Sequence, residues 1–309
     1  MKKKRIFGFM KILAGLLILL ILFYKVGFNN IYQTLSEVNP FYLSLTILMA
    51  LAVIFISTLN LKVLLQPFEN ISLWELFKSY SLTWATALYV PGKIGELLII
   101  YFLKKKGVEP GRSSAVFVIS KLITVSFFLV FAVIGFTMFF TGIQTLKLVL
   151  SLLAIFAVAA FFVLTNRGRT LIKKYILRSY SKYFRGFSKI LYSYPGAYPN
   201  RILASFFLIL AKTLVQICII YYIFLLLGSS VPLIKIFVIM TMTFIASFIP
   251  LTLQGIGIKE SLGVYLYSKI GISTGISSSM YILLLSASYI TSVLLFFLFA
   301  RKKKPKEIS

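Results

Sequence analysis

The chain alternates between long apolar stretches and short, mostly basic, polar stretches, a pattern typical of helices that cross a membrane. A transmembrane helix needs about 20 consecutive apolar residues. Six stretches meet that length, and they cover residues 6–26, 41–65, 113–140, 146–165, 201–227 and 276–300. We therefore expect an all-α integral membrane protein with six full transmembrane helices, the first of them retained as a helix rather than cleaved as a signal peptide.

Two further apolar regions, 73–103 and 232–267, are interrupted near their centres. Each half is too short to cross the hydrocarbon layer, and proline and glycine favour the end of a helix. The interrupting residues are Pro91, Gly92 and Gly95 in the first region and Pro250, Gly255 and Gly257 in the second. These breaks predict two re-entrant broken-helix hairpins, which bring the total to eight membrane segments in one polytopic domain spanning residues 1–309.

The basic residues predict the orientation of the chain. Suppose that the N-terminus is cytoplasmic and that each hairpin returns to the side from which it enters. The cytoplasm then holds all four basic stretches, which are residues 2–11, 104–112, 166–201 and 301–306. The lysines that fall outside are Lys25, Lys147, Lys235 and Lys269. This asymmetry follows the positive-inside rule. It predicts a multi-pass protein of the cell membrane with both termini cytoplasmic, and it assigns the net charge of +26 to anionic membrane lipids rather than to nucleic acid.

The basic loop 166–200 has its own pattern. Apolar and basic residues between 169 and 194 fall on separate faces of a helix. This predicts an amphipathic helix lying on the membrane surface, and a soluble basic loop is the alternative.

An internal repeat relates the two interrupted regions. A shift of the chain by 164 residues places Glu96 on Glu260, Gly107 on Gly271 and Ser113 on Ser277, and a five-residue insertion in the second copy brings Pro91 onto Pro250. The two copies cover about 41–165 and 201–300, and the basic loop joins them. Related hairpins of opposite orientation are expected in inverted-topology repeats, which bind substrate where their helices are broken.

Charged residues accompany both breaks: Lys93 and Glu96 in the first, Lys259 and Glu260 in the second. The helix after each break points its partly positive N-terminus inward, and the lysines add full charges there. This combination suits an anion such as a lipid phosphate, while the glutamates could hold a cationic head group or orient the lysines. We expect all four to line one polar cavity near the midplane; structural ion pairs are the alternative.

Two more lysines, Lys121 and Lys212, lie inside predicted spans. Either could line a transport pathway or extend its charge toward the membrane surface.

The composition excludes much catalytic chemistry. The chain has no histidine, no aspartate and the single cysteine Cys218. Histidine-based triads, histidine-containing metal sites and aspartyl dyads are therefore excluded, and no phosphate-binding loop for ATP occurs. We expect a protein that is not an enzyme and that needs no metal or cofactor.

The motifs at the two breaks carry a resemblance to a known family. The chain resembles the flippase-type membrane domain of lysylphosphatidylglycerol synthases, also called the multiple peptide resistance factor family. The matching segments are "PGKIGE" at 91–96, Gly107 to Ser114, and "GIGIKE" at 255–260 with Gly271. The chain resembles that transport part without the aminoacyl-transferase domain. The resemblance implies movement of an aminoacylated or other anionic-backbone lipid between leaflets. A departure is Ser120-Lys121, where the family often has a Glu-Arg pair.

Three functions remain open from the sequence. The first is translocation of a phospholipid or lipid-linked head group between membrane leaflets. The second is secondary transport of a small polar solute, and the third is a non-catalytic partner of a lipid- or glycan-modifying enzyme. The expected partners are anionic membrane lipids, a lipid substrate, and either a second copy of the chain or such an enzyme.

Overall fold

A computed structural model describes residues 39–90, 92–177, 184, 186–248 and 255–299, together with the single positions 24, 29, 32, 33 and 36. The part of the chain that it describes is helical. Its α-helices are α1 (Leu43–Leu65), α2 (Leu73–Ala87), α3 (Leu98–Lys104), α4 (Pro110–Phe139), α5 (Gly142–Leu164), α6 (Asn166–Leu171), α7 (Phe187–Ala197), α8 (Pro199–Leu226), α9 (Leu233–Ala246), α10 (Ile258–Lys269) and α11 (Thr274–Phe299). Short turns of 3₁₀-helix cover Pro40–Tyr42 and Gly92–Leu97, and a π-helical turn covers Ile172–Leu177.

Five of these helices, α1, α4, α5, α8 and α11, are long and apolar enough to cross a membrane. They coincide with five of the six spans predicted from the sequence, which confirms an all-helical, multi-pass membrane protein. The predicted first helix, 6–26, lies outside the described residues apart from position 24.

The first hairpin consists of α2, the Gly92–Leu97 turn and α3, and its two ends meet. Lys106, just after α3, places its Nζ 2.7 Å from Oε1 of Glu75 in the first turn of α2. Arg112 at the start of α4 places its Nη1 2.9 Å from Oε1 of Glu69, which follows α1. The first hairpin therefore begins and ends at the level where α1 ends and α4 begins.

The second hairpin consists of α9, the break and α10, and its ends lie at the opposite end of α4. Tyr267 near the end of α10 has its ring 4.8 Å from that of Phe224 near the end of α8. Tyr265 lies 6.4 Å from Phe140, which follows α4, and Nζ of Lys235 at the start of α9 lies 5.8 Å from the ring of Phe139. Because α4 has 30 residues and is about 45 Å long, the two hairpins enter the bundle from opposite ends.

Helices from residues 43–164, the first half of the bundle, pack against helices from residues 199–299, the second half. α1 packs along α8, α2 packs on α11, and α9 packs on α4. The first helix of each hairpin thus packs on the long helix that follows the other hairpin. A large apolar core joins α4, α8, α9, α10 and α11.

Local backbone geometry repeats at the shift of 164 residues. Gly107 after α3 has φ of 89° and Gly271 after α10 has φ of 87°, a left-handed conformation that suits glycine. The two glycine N–H groups donate to the carbonyl three residues earlier, over 3.0 Å at Gly107 and 3.1 Å at Gly271. In both places the N–H of the next residue donates to the carbonyl five residues before it, over 3.1 Å. Ser113 and Ser277 each donate their hydroxyl to the carbonyl four residues earlier, over 3.2 and 2.9 Å.

The prediction of one amphipathic helix over 169–194 is wrong. Gly186 has φ of 80° and begins α7 as a separate helix, because a left-handed residue interrupts the α-helical hydrogen bonds. Residues 178–183 and 185 lie outside the described chain. The apolar face of α7 packs on protein rather than on lipid: Leu191 and Tyr194 are buried, and the Tyr194 hydroxyl donates to the Leu64 carbonyl over 2.8 Å. Burial raises the pKa of Tyr194 to about 12.

Candidate functional site

The second break brings its glutamate into the start of α10. Gly257 precedes the helix with φ of 87° and has no side chain to cap it. Glu260, the third residue of α10, reaches back, and its Oε2 accepts a hydrogen bond of 2.6 Å from the Gly257 N–H. Only 1% of the Glu260 side chain is exposed. A carboxylate in this position satisfies an otherwise unpaired N–H and stabilises the positive end of the helix.

Lys259 is the neighbour of Glu260 and points into a cavity. Its side chain is 31% exposed, and its Nζ lies 3.4 Å from Oε1 of Glu260, within ion-pair distance. That oxygen is buried and has no hydrogen-bond partner among the described residues. The carboxylate thus binds the backbone just before α10 through Oε2 and the Lys259 ammonium group through Oε1, and the Lys259 side chain is part of the cavity lining.

The cavity lies where the two halves of the bundle meet. It has a volume of about 260 Å³ and is lined by residues of α1, α2, α8, α9, α10 and α11. A cavity of this size has room for several water molecules or for a small polar head group. Its polar lining includes Thr46, Gln216, Thr243, Ser247, Lys259 and Ser288, and its aromatic lining includes Trp84, Phe244, Tyr267 and Tyr281.

The first break places its glutamate differently. Glu96 lies in the 3₁₀ turn, one residue before Leu97, the residue that precedes α3. Its Oε2 forms an ion pair with Nζ of Lys121 on α4. The two side chains are 25% and 39% exposed, and the Lys121 ammonium lies 5.4 Å from the ring of Phe117. An intramembrane lysine paired in this way costs less than an isolated one.

Both breaks rely on a glycine that touches the preceding helix. A Cβ atom on Gly95 would lie 2.6 Å from Cα of Ala87, and a Cβ on Gly255 would lie 2.7 Å from Cα of Ser247. In each hairpin the glycine follows the residue that it touches by eight positions. The absence of a side chain therefore allows the chain to fold back closely at both breaks.

The predicted site residues thus divide between two places. Lys259 lines the cavity, Glu260 lies directly behind it, and Glu96 faces Lys121 instead. Lys212 is half-buried on α8 and is not among the described lining residues. Nothing is described of the Lys93 side chain, and Pro91 and Pro250 lie outside the described residues.

Sequence reasoning missed the uncharged polar lining. Thr46, Ser247 and Ser288 are hydroxyl residues of the kind that occur throughout apolar helices, so the sequence alone does not distinguish them. Gln216 offered a signal, because an amide inside an apolar span needs a polar neighbour.

The fold and the two breaks define the class: a polytopic, all-helical membrane protein built around two broken hairpins. The family model described as "Lysylphosphatidylglycerol synthase TM region" matches residues 8–297, and the chain belongs to that family. This membership supports a lipid-related function in the membrane. Searches of curated proteins and of solved structures found no match.

Proposed function

We propose that the protein translocates a phospholipid or a lipid-linked head group between the leaflets of the cell membrane. The observation that carries the proposal is the cavity between the two halves, with Lys259 at the start of a broken helix and hydroxyl groups on its other walls. A head group that crosses a membrane must exchange its water shell for polar protein groups, because hydrocarbon offers none. The lipid-related family is consistent with this use of the cavity.

The proposed mechanism treats the two hairpins as re-entrant segments of inverted repeats. Their entry from opposite ends of α4, and the exchange of packing partners between the halves, support this topology. In such repeats one half rocks against the other and exposes a central site to each side in turn. The acyl chains would stay in the lipid while the head group passes through the cavity.

The proposed orientation places both termini and the basic loop in the cytoplasm. It is supported by the basic residues that follow the first hairpin or lie near α6 and α7, among them Lys104, Lys105, Lys106, Lys174 and Lys189. In a Cys218→Ser background, an impermeant thiol reagent added to intact cells should label Ser229→Cys and not Lys105→Cys. Labelling of position 105 from outside would reverse the orientation.

The transport proposal is tested by reconstitution. The purified chain is placed in liposomes that carry fluorescent phosphatidylglycerol, and a membrane-impermeant quencher is added outside. Protein-containing liposomes should lose the fluorescence of inner-leaflet lipid, while protein-free liposomes keep it. Equal protection in both, with folded protein present, would contradict translocation.

A second candidate is secondary transport of a small polar solute, favoured by the modest cavity volume of about 260 Å³. It needs no lateral opening toward lipid. Leaflet exchange without solute uptake would favour lipid translocation. Uptake of a labelled solute without leaflet exchange would favour solute transport.

A further inference from the structure

We propose that a membrane lipid enters the cavity sideways through the seam between α2 and α11, whereas the seam between α4 and α9, its equivalent in the repeat, is closed to lipid. This inference rests on the proposed function and names the wall through which the lipid reaches the cavity. A head group stays joined to its acyl chains, so a cavity that takes the head group needs a wall that can part toward the lipid.

The α2–α11 seam runs from the cavity to the outer surface of the bundle. Trp84 of α2 and Ser288 of α11 line the cavity. A few residues further along the chain, Tyr89 is 47% exposed and Val293 is 51% exposed. The side chains between these positions therefore form the wall that separates the cavity from lipid on this side.

Small residues and long contacts close the centre of this seam. Ala85 and Ser292 are buried there, and the Ser292 hydroxyl lies 3.3 Å from the Ala85 carbonyl oxygen and 3.4 Å from the Tyr89 hydroxyl. Both distances exceed the usual O–H···O distance of about 2.8 Å. The rings of Tyr89 and Tyr289 lie 5.7 Å apart. Parting the seam would break few atomic contacts, because small side chains make few.

The end of the seam at the surface of the bundle is aromatic. The ring of Phe299 lies 5.6 Å from that of Trp74 and 5.8 Å from that of Phe77, in edge-to-face contacts. Trp74 is 56% exposed, as is usual for a tryptophan at the level of lipid head groups. A lipid would meet the seam first at this end.

The α4–α9 seam is packed much more closely. The rings of Phe128 and Phe244 are stacked 4.1 Å apart, and those of Phe131 and Phe237 lie 4.8 Å apart. A Cβ atom on Gly135 of α4 would lie 2.8 Å from Cγ1 of Val238 and 2.8 Å from Sδ of Met242, both on α9. Helices in a membrane are held together mainly by such close packing.

α5 adds a second layer outside the α4–α9 seam. Phe156 of α5 lies 5.9 Å, ring to ring, from Phe248, which follows α9. Val149 and Leu152 of α5 pack against the same apolar core. This wall therefore holds together while the α2–α11 seam parts.

The position of the seam assigns a leaflet. α2 begins beside the Glu75–Lys106 ion pair at one end of the bundle and stops at Ala87, about 22 Å along a helix of 15 residues. The seam thus spans only the part of the bundle where the first hairpin begins. A lipid would enter from the leaflet on that side, which is cytoplasmic in the proposed orientation.

The chain has no histidine, so a pair of introduced histidines provides a specific and reversible metal clamp. Tyr89→His with Tyr289→His clamps the α2–α11 seam, and Phe131→His with Phe237→His is the matched clamp on the α4–α9 seam. Nickel should raise the melting temperature of both pairs, which shows that each clamp has formed. Nickel added to the chain without introduced histidines controls for other effects of the metal.

Entry is measured at Ser288→Cys in a Cys218→Ser background, in nanodiscs that contain a phospholipid with a maleimide on its head group. Nickel on the α2–α11 pair should slow labelling by about tenfold or more, because the rate follows the population of the open seam. A chelator should restore the rate. Nickel on the α4–α9 pair should leave labelling unchanged. An unchanged rate with the α2–α11 clamp, or equal slowing by both clamps, would overturn the inference.

Leaflet exchange separates this inference from the proposed function. Exchange of labelled phosphatidylglycerol at the parent rate with the α2–α11 clamp in place would sink the entry route and leave translocation standing. Labelling of Ser288→Cys that depends on the α2–α11 clamp, without any leaflet exchange by the parent chain, would sink translocation and support the entry route.

Discussion

The two helix breaks carry glutamates 164 residues apart, and the contacts described for the two side chains differ. Glu260 is buried, accepts a hydrogen bond from the residue that precedes its helix and lies within ion-pair distance of Lys259, whose side chain lines the cavity. Glu96 is partly exposed and reaches across to Lys121 on α4. One break therefore contributes to the cavity lining, while the other is joined to a neighbouring long helix by an ion pair.

The difference follows from where each acid falls relative to its helix. Glu260 is the third residue of α10, the position from which a glutamate can reach back to the residue that precedes the helix. Glu96 lies in the 3₁₀ turn Gly92–Leu97, before α3 begins, and from there its carboxylate reaches Lys121 on α4. The two glutamates therefore share their place in the 164-residue shift but not the partner described for each.

The largest effect is expected at the glycines. Gly255→Ala adds a Cβ 2.7 Å from Cα of Ser247 at a left-handed φ of 78°, and it should cost about 2–4 kcal/mol from overpacking and strain together. Gly95→Ala meets Ala87 at 2.6 Å without a left-handed backbone and should cost about 1–3 kcal/mol. Thermal unfolding of the purified variants in one detergent measures both.

Gly107→Ala is the control for strain alone, because it has φ of 89° and open space around its Cβ. It should cost roughly 1–2 kcal/mol. If Gly255→Ala were no more destabilising than Gly107→Ala, the close approach at the second break would not matter.

The next largest loss of stability is expected when the glutamates at the two breaks are replaced. Glu260→Ala should lower stability by about 1–3 kcal/mol, because it leaves the buried Gly257 N–H without an acceptor. Glu260→Gln should recover part of that loss, since the amide oxygen can still accept. Glu96→Ala should also lower stability, because it removes the ion-pair partner of the intramembrane Lys121. Equal losses of stability in Glu260→Gln and Glu260→Ala would contradict the assignment of the Glu260 carboxylate as a hydrogen-bond acceptor.

The pairing of Glu96 with Lys121 can be isolated by a double-mutant cycle. Glu96→Gln, Lys121→Gln and the double variant should show a coupling of about 0.5–1 kcal/mol, the range for a pair of this exposure. Glu96→Gln with Lys259→Gln, which lie at different breaks, should be additive. Coupling in the second pair and none in the first would contradict the division into two places.

The smallest change in stability is expected at two serines that make the same hydrogen bond in the two halves of the chain. Ser113 and Ser277 make the same side-chain bond to the carbonyl four residues earlier. Ser113→Ala and Ser277→Ala should therefore change stability by similar amounts, each below about 1 kcal/mol. A large difference between them would show that the equivalence of α4 and α11 is only superficial.

Much of the fold followed from the sequence because lipid imposes simple rules. The predicted spans 41–65 and 276–300 are the helices Leu43–Leu65 and Thr274–Phe299, since a continuous apolar run has few alternatives in hydrocarbon. The breaks were likewise expected from proline and glycine. By contrast, the separate start of α7 depends on the left-handed backbone of Gly186. The φ angle of a glycine in a polar loop cannot be predicted from the sequence.

The site was predicted only in part, because partners depend on packing across helices. The adjacency of Lys259 and Glu260 is visible in the sequence, but the direction in which each points is set by the start of α10. The partner of Glu96 depends on how the first hairpin packs against α4, a contact between residues that are distant in sequence.

The most direct measurement compares leaflet exchange and thermal stability in the same purified preparations of Lys259→Gln, Lys269→Gln and Glu96→Gln. We expect Lys259→Gln to lose exchange of labelled phosphatidylglycerol while its melting temperature stays close to that of the parent chain. Glu96→Gln should melt earlier yet exchange lipid while folded, and Lys269→Gln should behave as the parent in both. Exchange at the parent rate by folded Lys259→Gln would contradict a head-group path through the second break.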